Sequence, residues 1–73
     1  LMQSISGSKS HNAGTLMTAL VNGVKDFSKK TVVNGTPVEK SGSISSTGND
    51  FTVYFEDYVD SAAVQAIIDA HSA

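Results

Sequence analysis

The stretch Phe51-Thr-Val-Tyr-Phe-Glu-Asp-Tyr-Val-Asp-Ser-Ala-Ala-Val-Gln-Ala-Ile-Ile-Asp-Ala-His71 decides the fold. In its first half, the apolar residues Phe51, Val53 and Phe55 alternate with others, which predicts a strand with one buried face. Asp60 then occupies the position of a helix N-cap. Apolar residues at helical spacing follow it and predict an inward stripe, formed by Ala63, Val64, Ile67, Ile68 and His71. The stretch therefore predicts a strand and a helix that share one core.

A second helix is predicted upstream, from Thr15 as its cap to about Lys29. Its apolar stripe would consist of Leu16, Met17, Leu20, Val21, Val24 and Phe27. Gly23 interrupts the pattern and costs about 1 kcal/mol relative to alanine inside a helix. It indicates either the close approach of another backbone or a weak helix.

Short strands are predicted between the two helices. Asn34-Gly35 tolerates the positive φ angles of a type I′ turn and is flanked by β-branched residues, so residues 31–38 predict a hairpin. Pro37 cannot donate a ladder hydrogen bond, which places the second arm at a sheet edge. Ile44 would anchor a brief strand over residues 43–46. The predicted fold class is α+β, with a small antiparallel sheet of two to three short strands packed by an N-terminal and a C-terminal helix.

Residues 1–14 are rich in serine, glycine and asparagine, and Ile5 is their only large apolar residue after Leu1 and Met2. Such a segment does not offset the entropy lost on ordering. We therefore expect residues 1–14 to be a flexible arm or a non-native remnant, and residues 15–73 to form a single small domain. Leu1 before Met2 indicates a remnant or a chain cut from something longer.

The size and charge of the chain argue against several classes of function. A chain of 73 residues without cysteine has a marginal core and neither disulfides nor thiolate metal ligands, so oligomerisation is the remaining source of buried area. The net charge is −2, and the five basic residues are all lysines. Without the bidentate arginine fork, nucleic-acid binding is not expected. No apolar run is long enough to span a membrane, and no signal peptide is visible.

Candidate sites are few. His11 and His71 lack the spacing of metal ligands, so neither a metal nor a cofactor is expected. Glu56, Asp57 and Asp60 form an acidic cluster typical of helix capping, and no serine lies in a nucleophile motif. If the apolar face of the last strand points inward, Tyr54 points outward. The candidate interface residues are Thr52, Tyr54 and Tyr58, because tyrosine suits surfaces that are both apolar and wet.

The stretch from Phe51 to Asp57, with the following residues 60–71, resembles the ends of many short phage and prophage proteins. The resemblance implies a small accessory protein of a phage particle or of a phage–host interaction, located in the virion or the bacterial cytoplasm. The order of His11, an apolar helix, Val38-Glu-Lys-Ser and a late strand and helix is similar to the histidine-containing phosphocarriers of sugar transport. Ala13 stands where that family has an arginine, which leaves a phosphohistidine without its guanidinium partner.

Three functions follow as hypotheses. The first is a non-enzymatic assembly or interaction protein that uses a strand edge or the outward tyrosine face, with itself or another protein as partner. The second is a small phosphocarrier-like or enzymatic domain that uses His11. The third is an acidic inhibitor of a host protein that acts through residues 56–60.

Overall fold

The computed structural model describes residues 2–73, except for the side chains of residues 30–33 and 37–41. The elements, in chain order, are strand β1 (Met2–Ser8), helix α1 (Ala13–Gly23), strands β2 (Ser28–Val33), β3 (Thr36–Ser41), β4 (Ser43–Thr47) and β5 (Asp50–Glu56), and helix α2 (Ser61–Ala70). The predicted α+β class, with an antiparallel sheet and a helix toward each end of the chain, is confirmed. The expectations for Leu1 and for the Pro37 and Val38 side chains lie outside the described part.

The main sheet has three antiparallel strands in the order β1-β5-β4, so the buried alternating strand is central. Strands β2 and β3 form a separate two-stranded hairpin. Asn34 and Gly35 both have positive φ, 51° and 78°, as the predicted type I′ turn requires. The brief strand expected around Ile44 is β4.

The flexible arm expected at residues 1–14 is wrong for Met2–Ser8, which forms strand β1 in register with β5 over its whole length. The Ile5 side chain lies opposite Val53 and packs against the core. The strand is specified by this pairing and not by its own composition, because β propensity is dominated by neighbours.

The core lies between one face of the sheet and the two helices. Its ten buried apolar side chains come from α1, the segment after it, β5, the turn that follows and α2: Leu16, Leu20, Val24, Phe27, Phe51, Val53, Phe55, Val59, Val64 and Ile68. All three inward residues predicted for β5 belong to it. The sheet therefore has an inner face against the helices and an outer face toward solvent.

The predicted bounds of the first helix are wrong at both ends. Asn12, not Thr15, is the N-cap: its Oδ1 accepts a hydrogen bond from the Thr15 N–H at 3.0 Å. The helix ends at Gly23, where a Cβ would lie 2.9 Å from Ile67 Cδ1, so the Ile67 side chain of α2 occupies the space beside this glycine. Asp26 then adopts a positive φ of 62° and turns the chain into β2.

Helix α2 begins as predicted. Asp60 Oδ1 accepts a hydrogen bond from the Ala62 N–H at 3.0 Å, which confirms Asp60 as the N-cap. Within residues 2–73, neither helix has the length and apolar character needed to cross a bilayer.

Candidate functional site

The outer face of the main sheet is a lattice of small hydroxyl side chains around one tyrosine. Tyr54 is flanked across the sheet by Ser4 on β1 and Ser43 on β4, and Thr52 in the next row by Ser6 and Ser45. These four serines are exposed. Neighbouring strands are about 4.8 Å apart, so the hydroxyls form a dense polar surface.

Two of the three candidate interface residues lie together on this face. Tyr54 is 39% exposed, as the alternation of β5 predicted. Thr52 is half-buried, and its Oγ1 lies 2.9 Å from Ser6 Oγ, so this hydroxyl is engaged across the strand pair. Tyr54 is therefore the more exposed of the two side chains, and the Thr52–Ser6 hydrogen bond links β5 to β1 beside it.

Tyr58, the third candidate, lies in the turn between β5 and α2 and has other neighbours. Lys29 Nζ lies 5.0 Å from the centre of its ring, within the range of a cation–π contact. Partial desolvation, followed by the charges of Glu56 and Asp26, raises the pKa of the Tyr58 hydroxyl. The hydroxyl therefore stays protonated at neutral pH and can donate a hydrogen bond.

Both edges of the main sheet lack the usual protection against strand pairing. Strand β1 reads MQSISGS and β4 reads SISST, with no charged residue and no proline in either. Natural proteins normally guard such edges with lysine, proline or a bulge. The hairpin strands β2 and β3, by contrast, contain lysines, a glutamate and a proline. The main sheet therefore ends in two edge strands, β1 and β4, whose own residues do not oppose pairing with another strand.

A shallow groove of about 530 Å³ follows the outer face at the end of the sheet near the β4–β5 turn. Its walls are mostly serine and threonine hydroxyls, with the Asp50 carboxylate at one end. The groove is an open depression in the same hydroxyl surface, so it enlarges the contact area of the outer face.

His11 lies on the other face of β4 and is held by two hydrogen bonds. Its Nδ1 is 2.7 Å from the Lys9 carbonyl oxygen, and its Nε2 is 2.6 Å from Ser46 Oγ. The His11 ring also packs against Phe51, with ring centres 4.8 Å apart. Both ring nitrogens are engaged, so phosphorylation of His11 would require one of these hydrogen bonds to break.

His71 is the C-cap residue of α2, and its ring bonds to the start of α1. His71 Nε2 accepts a hydrogen bond from the Asn12 N–H at 3.1 Å and so ties α2 to the start of α1. Two carbonyls at the end of α2 accept from Lys9 instead: its Nζ donates to Ile68 O and, at 2.7 Å, to His71 O. Sequence spacing could not reveal these contacts, because the partners are about sixty residues apart.

The acidic turn, residues 56–60, is held by hydrogen bonds from β1 and supplies the N-cap of α2. Gln3 Nε2 lies 3.0 Å from the Val59 carbonyl oxygen and 3.3 Å from those of Glu56 and Asp57, so β1 holds the turn in place. Asp60 is used as the cap of α2. Among the described residues, no group of three or more histidine, cysteine or acidic side chains is placed to hold a metal ion.

The His11–Ser46 contact and strand β1 are two further features that the sequence analysis did not predict. A signal for the second was available: Gln3, Ile5 and Gly7 alternate with Met2 and serines, which is a weak period-two pattern. Comparison of the chain with family models, curated proteins and solved structures found no match.

Proposed function

We propose that this chain is an association module that acts by protein–protein contact, and that it pairs with a second copy of itself through the free edge of β1. The observation that carries the proposal is the seven-residue edge strand without charge or proline. The backbone N–H and C=O groups on its free side are suited to pairing with another strand.

Strand β1 suits self-pairing better than β4. A two-fold antiparallel pair centred on Ile5 places Ile5 opposite its copy and Ser4 opposite Ser6 of the second copy. In a two-fold pair, β1 faces a second copy of β1, so any charged residues in the strand would face charges of the same sign. Strand β1 contains no charged residue. Strand β4 is shorter, five residues against seven, and its Ser46 is engaged by His11.

The paired sheet would have six strands and a continuous outer face. The half-buried Ile5 of each copy would cover the other, which adds apolar area to a core of ten buried residues. Such an interface is smaller than a standard protein–protein interface. We therefore expect a concentration-dependent dimer with a dissociation constant in the micromolar range.

The outer face is the alternative surface for a different protein partner. Tyrosine surrounded by serine and threonine is a composition that binding surfaces use for adaptable contacts, as paratopes do. The phage-protein resemblance of the C-terminal third supports an accessory role in a particle or in a phage–host contact. The candidate residues on this face are Thr52 and Tyr54, and the third candidate, Tyr58, lies in the turn between β5 and α2.

The test places lysines on one edge at a time. In the Ser4→Lys/Ser6→Lys variant, each new lysine faces a lysine of the second copy, so the solution mass should fall to the monomer value of 7.6 kDa. The matched control is Ser43→Lys/Ser45→Lys, which occupies the same two rows on the opposite edge. The control should associate like the unmodified chain, measured by light scattering across a concentration series.

Two results would overturn the proposal. One is an unmodified chain that stays at 7.6 kDa at every concentration. The other is a Ser43→Lys/Ser45→Lys control that no longer associates, while the Ser4→Lys/Ser6→Lys variant still does. That result would place the interface at β4.

A further inference from the structure

The pair formed by His11 and Ser46 has the geometry of an activated nucleophile. A carbonyl oxygen only accepts hydrogen bonds, so the His11 Nδ1 that lies 2.7 Å from Lys9 O must carry the hydrogen and donate it. In the neutral ring, Nε2 then has a free lone pair and accepts the Ser46 hydroxyl hydrogen across 2.6 Å. The Lys9 carbonyl thus selects the tautomer that a general base needs.

We propose that Ser46 is a nucleophile activated by His11 and that it accepts an acyl group from small activated esters. The arrangement has the three parts of such a site: a hydroxyl, a base within hydrogen-bond reach and a group that orients the base. The orienting group is the Lys9 carbonyl, and the Phe51 ring supports the imidazole at 4.8 Å between ring centres. Ser46 is exposed, so an ester in solution can reach its hydroxyl.

The reaction balances without a cofactor. Ser46 Oγ forms a bond to the acyl carbon while its proton moves to His11 Nε2. The bond from the acyl carbon to the leaving oxygen breaks, and His11 returns the proton to that oxygen or to water. Water then attacks the acyl-serine with His11 as base, which releases the carboxylic acid and restores the hydroxyl. The partial negative charge of the Lys9 carbonyl stabilises the imidazolium formed in each step.

The position of the pair sets the substrate class. Ser46 lies opposite Phe51 and so belongs to the inner side of β4, whereas the groove lies on the outer face. A large substrate is therefore not held beside Ser46 by that groove, and small acyl donors with a good leaving group are the expected substrates. The pair is on β4 and the proposed dimer edge is β1, so the two proposals can fail separately.

The test treats the full chain with p-nitrophenyl acetate, stops the reaction with acid at early times, before the acyl-serine is hydrolysed, and locates the acetyl groups by peptide mass spectrometry. Ser45 is the internal control, because it is the exposed neighbour of Ser46 on the other face of β4, away from His11. Ser46 should be acetylated at least about 100-fold faster than Ser45, the contribution expected of a positioned general base.

Two variants test whether Ser46 is acetylated because His11 acts as a base or only because its hydroxyl is exposed. His11→Gln should lower Ser46 acetylation to the rate of Ser45, and Ser45→Ala should leave it unchanged. Equal rates at Ser45 and Ser46 in the unmodified chain would overturn the proposal, and that comparison needs no variant. Unchanged Ser46 acetylation in His11→Gln would also overturn it.

Discussion

Core packing requires a glycine at position 42, because Phe27 occupies the space that a side chain would need. Gly42 is buried, and a Cβ built there would lie 2.2 Å from Phe27 Cζ, a distance that side chains do not tolerate. The Gly42 N–H also donates to the Phe27 carbonyl at 3.0 Å, so the backbone has little freedom to retreat. The Phe27 ring, 2% exposed, fills the space instead.

Gly42→Ala should therefore lower the free energy of unfolding by about 1–3 kcal/mol through overpacking. Gly14→Ala is the matched control, because the new Cβ there would meet only Asn12 Oδ1 at an ordinary 3.5 Å. Gly14 lies inside α1, so its substitution should be neutral or stabilise by up to about 1 kcal/mol. Urea unfolding midpoints measure both, and a loss of stability in Gly14→Ala equal to that in Gly42→Ala would contradict this packing account.

Tyr58 provides a prediction of pH dependence. Its pKa is raised above the ordinary value of 10.0 by partial desolvation and then by Glu56 and Asp26, so folding favours the protonated hydroxyl. The stabilising contribution is present below the unfolded-state pKa and is lost as the pH rises through the folded-state pKa. Spectrophotometric titration of the Tyr54→Phe variant observes Tyr58 alone, because the chain has two tyrosines.

Adding Glu56→Gln to that variant should lower the Tyr58 pKa, since one of the two negative charges is removed. Asp69→Asn is the control on α2, where Asp69 is bonded to Gln65. A Tyr58 hydroxyl that titrates at or below 10.0 in the folded protein would contradict the raised pKa.

Tyr54 separates the two association surfaces. Because Tyr54 lies on the outer face of the central strand and not on an edge, Tyr54→Ala should leave dimerisation through β1 intact. Loss of the dimer in this variant, with the unfolding midpoint unchanged, would assign the interface to the outer face.

At the scale of the elements, the C-terminus of α2 depends on one distant lysine. Lys9 follows β1 and donates to the last carbonyls of α2, where a positive charge is favourable to the helix dipole. Lys9→Met keeps the aliphatic stem and removes the charge, so it should lower the free energy of unfolding by about 1–2 kcal/mol. The difference should shrink at high salt, because charge interactions are screened.

Lys25→Met is the control for Lys9→Met. Lys25 is exposed beyond the end of α1, so its loss should change stability by less than about 0.5 kcal/mol. Equal effects of the two substitutions, measured by urea unfolding, would mean that the Lys9 contacts contribute nothing specific to α2.

The sequence predicted those elements whose signals are local. The alternation around Val53, the cap at Asp60 and the turn at Asn34 each depend on neighbours in the chain, and all three are confirmed. Val24 and Phe27 were correctly placed in the core, yet they follow the helix and do not belong to it. A turn can return side chains to the core as a helix does, so apolar spacing alone does not locate the helix end.

What the sequence did not predict depends on contacts between distant segments. Strand β1 has one large apolar residue on its inner face, Ile5, and becomes a strand because β5 pairs with it. The same pairing brings the β1–α1 loop next to the end of β4, where His11 meets Ser46, thirty-five residues away. The candidate interface residue Tyr54 was predictable, since its exposure follows from strand alternation.

At the scale of the whole molecule, the distribution of charge favours one mode of association. The chain measures 42 × 22 × 21 Å, and the hairpin contains both lysines and a glutamate, while the two edges of the main sheet contain no charge. A chain of 73 residues would gain from additional buried area, and the proposed two-fold strand pair would supply it without a new element.

Backbone amide hydrogen exchange, followed strand by strand as the protein concentration rises, tests the association most directly. Pairing through β1 predicts that the amides on the free side of β1 exchange more slowly at high concentration, while those of β4 keep their rates. Rates in β1 that do not depend on concentration, or slowing confined to β4, would contradict association through this edge.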